Sequence, residues 1–263
     1  MDYYWTALLG AAASATPADT TFILHVNITS SNLQYGVTPY WNAGGGCVIE
    51  WGDGNSTTAT TSGTTVNHTY AEAGTYIVSV TGDMYRFRCS SANPAAVTFC
   101  NGNWDALGSI TNGNSMFLNC ANMDITVDQL PAGLTTAPSM FNGCLAATLP
   151  LTSLPDGLVT ASNMFQQCEA STMVIPKLPP GLTGNVNYMF YRCRKMTADL
   201  DVWVAANPNG WPWITNVGNF ARIAGGLNSP GTFTGSVSAF QAKCPNVTDW
   251  TTGQPFYGTN TTA

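Results

Sequence analysis

The chain repeats itself, and that repetition limits its fold more than any other feature. Ser115-Met116-Phe117-Leu118-Asn119-Cys120 returns as Ser139-Met140-Phe141-Asn142-Gly143-Cys144. It returns again as Asn163-Met164-Phe165-Gln166-Gln167-Cys168 and as Tyr188-Met189-Phe190-Tyr191-Arg192-Cys193. The steps from Met116 to Met140, to Met164 and to Met189 are 24, 24 and 25 residues. A second motif keeps the same step: Leu130-Pro131-Ala132-Gly133-Leu134, Leu154-Pro155-Asp156-Gly157-Leu158 and Leu178-Pro179-Pro180-Gly181-Leu182. Two motifs locked in one register mark a stack of similar units, none large enough to bury its own apolar face.

Within a unit, Met, Phe and Cys stand at i, i+1 and i+4, positions that share one face of a helical turn. After each Cys the period changes to two. Met123/Ile125/Val127, Ala147/Leu149/Leu151, Ser171/Met173/Ile175 and Met196/Ala198/Leu200 alternate as the inward face of a short strand. The Leu-Pro-x-Gly-Leu segment then turns the chain and drops two leucines inward. One coil is thus expected to be a helical turn, a strand and a corner, with Met116, Phe117, Cys120 and their counterparts as the shared core. The pattern resembles BspA-type leucine-rich repeats and the related Met-Phe-x-x-Cys repeats of bacterial surface proteins, most closely over residues 106–200. That resemblance implies a leucine-rich-repeat solenoid over 84–200. Asn219-Phe220 and Ala239-Phe240 with Cys244 read as worn copies, so 201–263 is expected to hold divergent repeats and a C-terminal cap.

The stretch before the repeats alternates differently. Phe22, Leu24 and Val26 fall on one strand face, and Tyr76, Val78 and Val80 on another. Cys47-Val48-Ile49-Glu50-Trp51 runs into Gly52-Asp53-Gly54, a hairpin signal because glycine accepts the positive φ of the turn. Trp51-Gly52-Asp53-Gly54, then His68/Tyr70, then Gly74/Tyr76/Val78 resemble the ordered signature of a PKD domain. The resemblance implies a mainly β fold in which an immunoglobulin-like β-sandwich over 20–83 precedes the solenoid. Asp53 is read as bracing its own turn rather than as an acid or metal ligand. His68 is read as packing beside that turn rather than as a base.

Cys120, Cys144, Cys168 and Cys193 recur once per coil, whereas disulfide frameworks place cysteines in complementary pairs. Free, buried thiols are expected, with Cys89 and Cys100 the candidate pair if any disulfide forms. No Cys-x-x-Cys occurs and the two histidines are His25 and His68, so neither a zinc site nor any other cofactor is expected.

Charged residues make up 8% of the chain and the net charge is −6. Eight basic residues, with no run longer than Arg194-Lys195, argue against nucleic acid as a partner. So few charges protect a surface poorly against association, which points to a homo-oligomer or a part of a larger assembly. No stretch approaches the ~20 apolar residues of a membrane span. Met1 to Ala15 ends in Ala13-Ser14-Ala15, like a signal-peptidase site, yet Asp2 stands where a positive n-region belongs. Residues 1–19 are therefore read as a docking arm onto other virion or surface proteins, with a signal peptide as the alternative.

No Gly-x-Ser-x-Gly, His-Glu-x-x-His or phosphate loop occurs, so no enzyme is expected and no catalytic residue is named. Asp199 and Asp201, as alternate strand residues, would face opposite ways and could not act as a pair. Two binding surfaces are candidates. Asp124, Thr148, Thr172 and Thr197 would form an outward column on the sheet, or else a plain solvated face. Trp203, Trp211 and Trp213 would stack on sugar rings or anchor a partner if exposed, or else cap the open end of the core. Modules typical of cell exteriors combined with free thiols fit a virion protein, folded in a host cytoplasm and displayed after lysis. The reading is a structural protein of the virion surface, a bacteriophage head or tail decoration or fibre whose adhesive solenoid meets a host surface glycan or protein, or mucus. The alternatives are an extracellular bacterial cell-surface adhesin and the carbohydrate-binding appendage of a glycan-degrading system.

Overall fold

The computed structural model describes residues 21–125, 129–221 and 232–251, with the side chains of Ile125 and Thr232 apart. The docking arm 1–19 and the inward reading of Ile125 and Val127 lie outside these residues. The protein is mainly β. Eight strands come first: β1 (Phe22–Ile28), β2 (Gln34–Tyr40), β3 (Cys47–Glu50), β4 (Ser56–Ala59), β5 (Val66–Thr69), β6 (Gly74–Gly82), β7 (Arg86–Ala92) and β8 (Val97–Cys100). β1 shows why they form: Phe22, Leu24, Val26 and Ile28 are buried while the residues between them are not. One sheet runs β4-β3-β6-β1-β8 and a second runs β5-β2-β7, all neighbours antiparallel. Their faces meet through Phe22 against Phe87 and Tyr35 against Trp51, with ring centroids 5.8 and 6.5 Å apart.

β7 and β8 correct the expected boundary at residue 83. They pair with β2 and β1, so the two sheets continue to Cys100. The β3–β4 hairpin forms at the anticipated turn. Gly52 and Gly54 adopt φ of 84° and 89°, and a Cβ on Gly52 would lie 2.5 Å from Ile77 O.

The repeats follow without a break in the core. β9 (Asp124–Ile125) adds in parallel to β8. Phe117, Phe141, Phe165 and Phe190 are buried and stack rung over rung, with centroids 5.3, 5.6 and 5.7 Å apart and planes within 10°. Trp104 closes the ladder at one end, and Trp203, Phe220 and Phe233 surround Phe190 at the other.

The backbone of each rung departs from the expected helical turn. Ser115 and Asn119 take φ of 55° and 62°, as do their counterparts Ser139 (55°), Asn163 (56°), Gln167 (63°), Tyr188 (57°) and Arg192 (60°). Alternate N–H groups then leave the coil. Ser115 N, Phe117 N and Asn119 N donate to Pro138 O, Met140 O and Asn142 O of the next coil at 3.0, 2.8 and 2.7 Å. Met116 N and Cys120 N close tight turns within the coil, onto Gly113 O and Phe117 O. In an α-helical turn these donors would point along the axis toward residues four places back rather than sideways to another coil. The left-handed residues cost about 1–2 kcal/mol each, and in exchange every rung is tied to its neighbour.

The thiols add a second tie. Cys144, Cys168 and Cys193 donate through Sγ to Phe117 O, Phe141 O and Phe165 O of the preceding coil, at 3.1, 3.1 and 3.0 Å. Cys89 on β7 does the same to Met116 O at 2.9 Å, which welds the sheets to the first coil. All eight cysteines are free and buried.

Past the third rung the chain forms β10 (Gly184–Asn185), β11 (Thr197–Asp199), α1 (Leu200–Ala206), β12 (Ile214–Asn216), β13 (Thr232–Thr234) and α2 (Val237–Ala242). β10 pairs β12 and β11 pairs β13, both in parallel. The expected strand ends at Asp199, whose carboxylate accepts from Asp201 N and Val202 N and so starts α1 at Leu200. The worn copy at Asn219-Phe220 keeps the rung geometry: Asn219 has φ 54° and Phe220 stands where earlier coils carry Met.

Candidate functional site

The outward face of the extended segments carries the hydroxyl column in part. Asp124 and Thr148 are exposed and joined, Thr148 Oγ1 donating to Asp124 Oδ1 at 2.8 Å. Thr172 and Thr197 are exposed as well, but they are not consecutive members of one column. The ladder sets Thr197 opposite Val174, because Thr197 N donates to Met173 O. That register shift corrects the expected line of four. It brings Val174, 56% exposed, to the place where a hydroxyl was anticipated.

The tryptophans require a second correction. Trp203 and Trp211 are fully buried, and their Nε1 groups donate to Ile175 O and Pro179 O at 2.6 and 2.9 Å. Both offer their rings to the core, Trp203 against Phe190 and Trp211 against Phe240, so neither can receive a sugar or a partner. Their role is to close the end of the stack. Trp213 stays on the surface at 64% exposure.

The register shift opens an apolar groove of about 380 Å³ where β11 meets α1. Val174, Pro176, Thr197 and Val202 line it, with Val202 presented by the first turn of α1 at 48% exposure. Sequence reading placed Thr197 here and missed Val202, because the helix starting at Leu200 was taken for strand. The signal was present: Asp199 followed by Leu200-Asp201 is an N-cap with an acidic first turn.

No family model, curated protein or solved structure matches the chain.

At the β3–β4 turn, Asp53 and His68 are 2.7 Å apart between Oδ2 and Nε2, and Asp53 Oδ1 accepts from Asn55 N at 3.0 Å. Partial burial works to raise the Asp53 carboxyl, but the His68 and Asn55 hydrogen bonds outweigh it and hold the group below its ordinary value. The imidazole is stacked on Trp51, centroids 4.9 Å and planes 10° apart, and meets Tyr70 edge-on. Each group is thus engaged in bracing the turn. Asp199 Oδ1 caps α1, and Asp201 Oδ1 accepts from Ser236 N at 3.1 Å.

Burial raises the Cys47, Cys100 and Cys244 thiols to about 12 and pushes up those of Cys89, Cys144, Cys168 and Cys193 as well. A thiol so shifted is protonated at neutral pH and is a poor nucleophile. Among the described residues no group of three or more His, Cys, Asp or Glu could hold a metal ion. No helix among them is long and apolar enough to cross a membrane.

Proposed function

We propose that the chain is a non-enzymatic display protein of a virion surface, a bacteriophage head or tail decoration or fibre. In this reading an immunoglobulin-like sandwich of PKD type carries a short leucine-rich-repeat solenoid, and residues 1–19 dock onto the particle. The observation that carries the reading is the unbroken ladder from Trp104 through four stacked phenyl rings to Trp203. Such an interior makes a stiff rod and leaves its polar outer face to contact a host surface or mucus. Eight reduced, buried cysteines support folding in a reducing cytoplasm before release. The acidic and imidazole groups described above are occupied in turns and caps, which supports a passive role.

The experiment is the composition of native particles. Virions purified from a lysate are expected to carry the chain with its N-terminus at Met1. Native material that begins at Thr16 and sits on a bacterial envelope would overturn the proposal in favour of a surface adhesin.

A further inference from the structure

The outer face of the β5-β2-β7 sheet carries two arginines without a counter-ion. Phe87 and Cys89 point into the core, so Arg86 and Arg88 share the opposite face of β7, roughly 7 Å apart along the strand. Both are half-buried. Arg192 and Arg194, by contrast, share the Glu169 carboxylate at 3.1 and 3.2 Å. Among the described residues no ion pair includes Arg86 or Arg88. Like charges on one face repel, and partial burial strengthens the repulsion. An acidic chain with eight basic residues thus sets two of them side by side with no acid to offset the cost.

The surroundings hold the pair in place and use up the nearby acceptors. The Arg86 guanidinium carbon lies 4.5 Å from the centre of the Tyr40 ring, and its Nη2 donates to Asn114 O at 3.3 Å. β7 meets the first coil here, with Arg86 opposite Asn112. Asn112 Oδ1 accepts from Asn114 N at 2.9 Å, and Asn114 Oδ1 accepts from Ser115 Oγ at 2.8 Å. On the other side Thr38, opposite Arg88, shares its hydroxyl with Thr65 and Ser91. The side-chain oxygens beside the pair are therefore taken. Donors are left over: among the described residues nothing receives the Nδ2 groups of Asn112 and Asn114, and the Arg88 guanidinium makes no hydrogen bond.

A positive patch with spare donors and spent acceptors fits an oxyanion, because each guanidinium presents a planar fork to paired oxygens. The carrier of that oxyanion follows from the rest of the face. None of the exposed large hydrophobic residues lies on β2, β5 or β7, so the face lacks the apolar centre of a protein interface. Two arginines in a chain of net charge −6 are too few for a nucleic acid. Acidic sugars carry separate charges on polar, uncharged rings, which suits two cations set in a field of amides and hydroxyls. We propose that Arg86 and Arg88, with the amides of Asn112 and Asn114, hold the carboxylate or sulfate group of an acidic polysaccharide. The site is argued from charge and donor count alone and stands whether or not the chain belongs to a virion.

The test is binding of the full chain to immobilised hyaluronan and alginate, which carry carboxylates, and to dextran sulfate, which carries sulfate esters. Neutral dextran and duplex DNA are the controls. Retention of at least one acidic polysaccharide is expected, weakening severalfold between about 0.05 and 0.3 M NaCl; the carboxylated and sulfated arms tell which oxyanion is held. Arg88→Gln should weaken binding about tenfold with the melting temperature held within a few degrees, and Arg88→Lys, which keeps the charge but loses the fork, should fall between. Arg86→Gln should match Arg88→Gln; if loss of the Tyr40 contact unfolds it, Arg88→Gln carries the reading. Arg194→Gln, which removes one charge already spent on Glu169, should bind like the wild type. Failure to retain any acidic polysaccharide, equal retention of dextran, or tighter binding of DNA would overturn the site. So would wild-type affinity in folded Arg88→Gln, or an equal loss in Arg194→Gln.

Discussion

Replacing Phe165 by alanine removes the middle of the ring ladder. The side chain is fully buried between Phe141, 5.6 Å away with planes 5° apart, and Phe190, 5.7 Å away with planes 3° apart. Large-to-small changes at such positions cost about 3–5 kcal/mol, the transfer term plus the cavity left behind. Two ring contacts, each adding about 0.5–1.5 kcal/mol beyond area, place this site near the top of that range. The coil has little freedom to collapse, because its alternate N–H groups are held by the next rung and its carbonyls by the preceding one. Urea unfolding followed by tryptophan fluorescence and far-ultraviolet circular dichroism is the assay. With a slope of about 3 kcal/mol/M, a loss of about 5 kcal/mol lowers the midpoint by roughly 1.7 M. Phe165→Leu, which keeps most of the volume but loses both ring contacts, should cost less, about 1–3 kcal/mol. A Phe165→Ala loss below roughly 1 kcal/mol would refute the shared interior.

Cys168→Ala should cost about 1–2 kcal/mol, the sum of a small cavity and the lost Sγ bond to Phe141 O, and Cys144→Ala should match it because the same bond recurs. Maleimide counting at pH 7 should label no native thiol and eight after denaturation; labelling of several native thiols would contradict the buried column. Burial holds the Cys47, Cys100 and Cys244 thiols above their ordinary value of 9.0, at about 12, so the unfolded chain loses these protons first as pH rises. Their contribution to stability is therefore fully present below about pH 9 and is lost between about 9 and 12. A melting temperature flat across that window would refute it.

What the sequence made legible was side-chain identity repeated at fixed spacing. Met116, Phe117, Cys120 and their counterparts lie inward because hydrophobic burial depends on side chains, which are written out four times. The path of the backbone was less legible. Ser115 and Asn119 are left-handed although neither is glycine, since intercoil hydrogen bonds unseen in local sequence decide the conformation. Register was lost where the period stretched to 25, so Thr197 slipped opposite Val174. Trp203 and Trp211 could equally have faced water, because composition alone cannot say that the end of a stack needs two large indoles to close it. One turn device also went unread: Asn112-x-Asn114, Asn185-x-Asn187 and Asn216-x-Gly218 repeat it at the same place in their coils.

The sharpest test of the stack is a pair of double-mutant cycles. Phe141→Leu with Phe165→Leu joins adjacent rungs, and Phe117→Leu with Phe190→Leu joins rungs three steps apart. Adjacent rings should show a coupling of about 0.5–1.5 kcal/mol, while the distant pair should add within about 0.5 kcal/mol. Equal couplings in the two cycles, or none in either, would mean that the phenyl groups do not meet in sequence order.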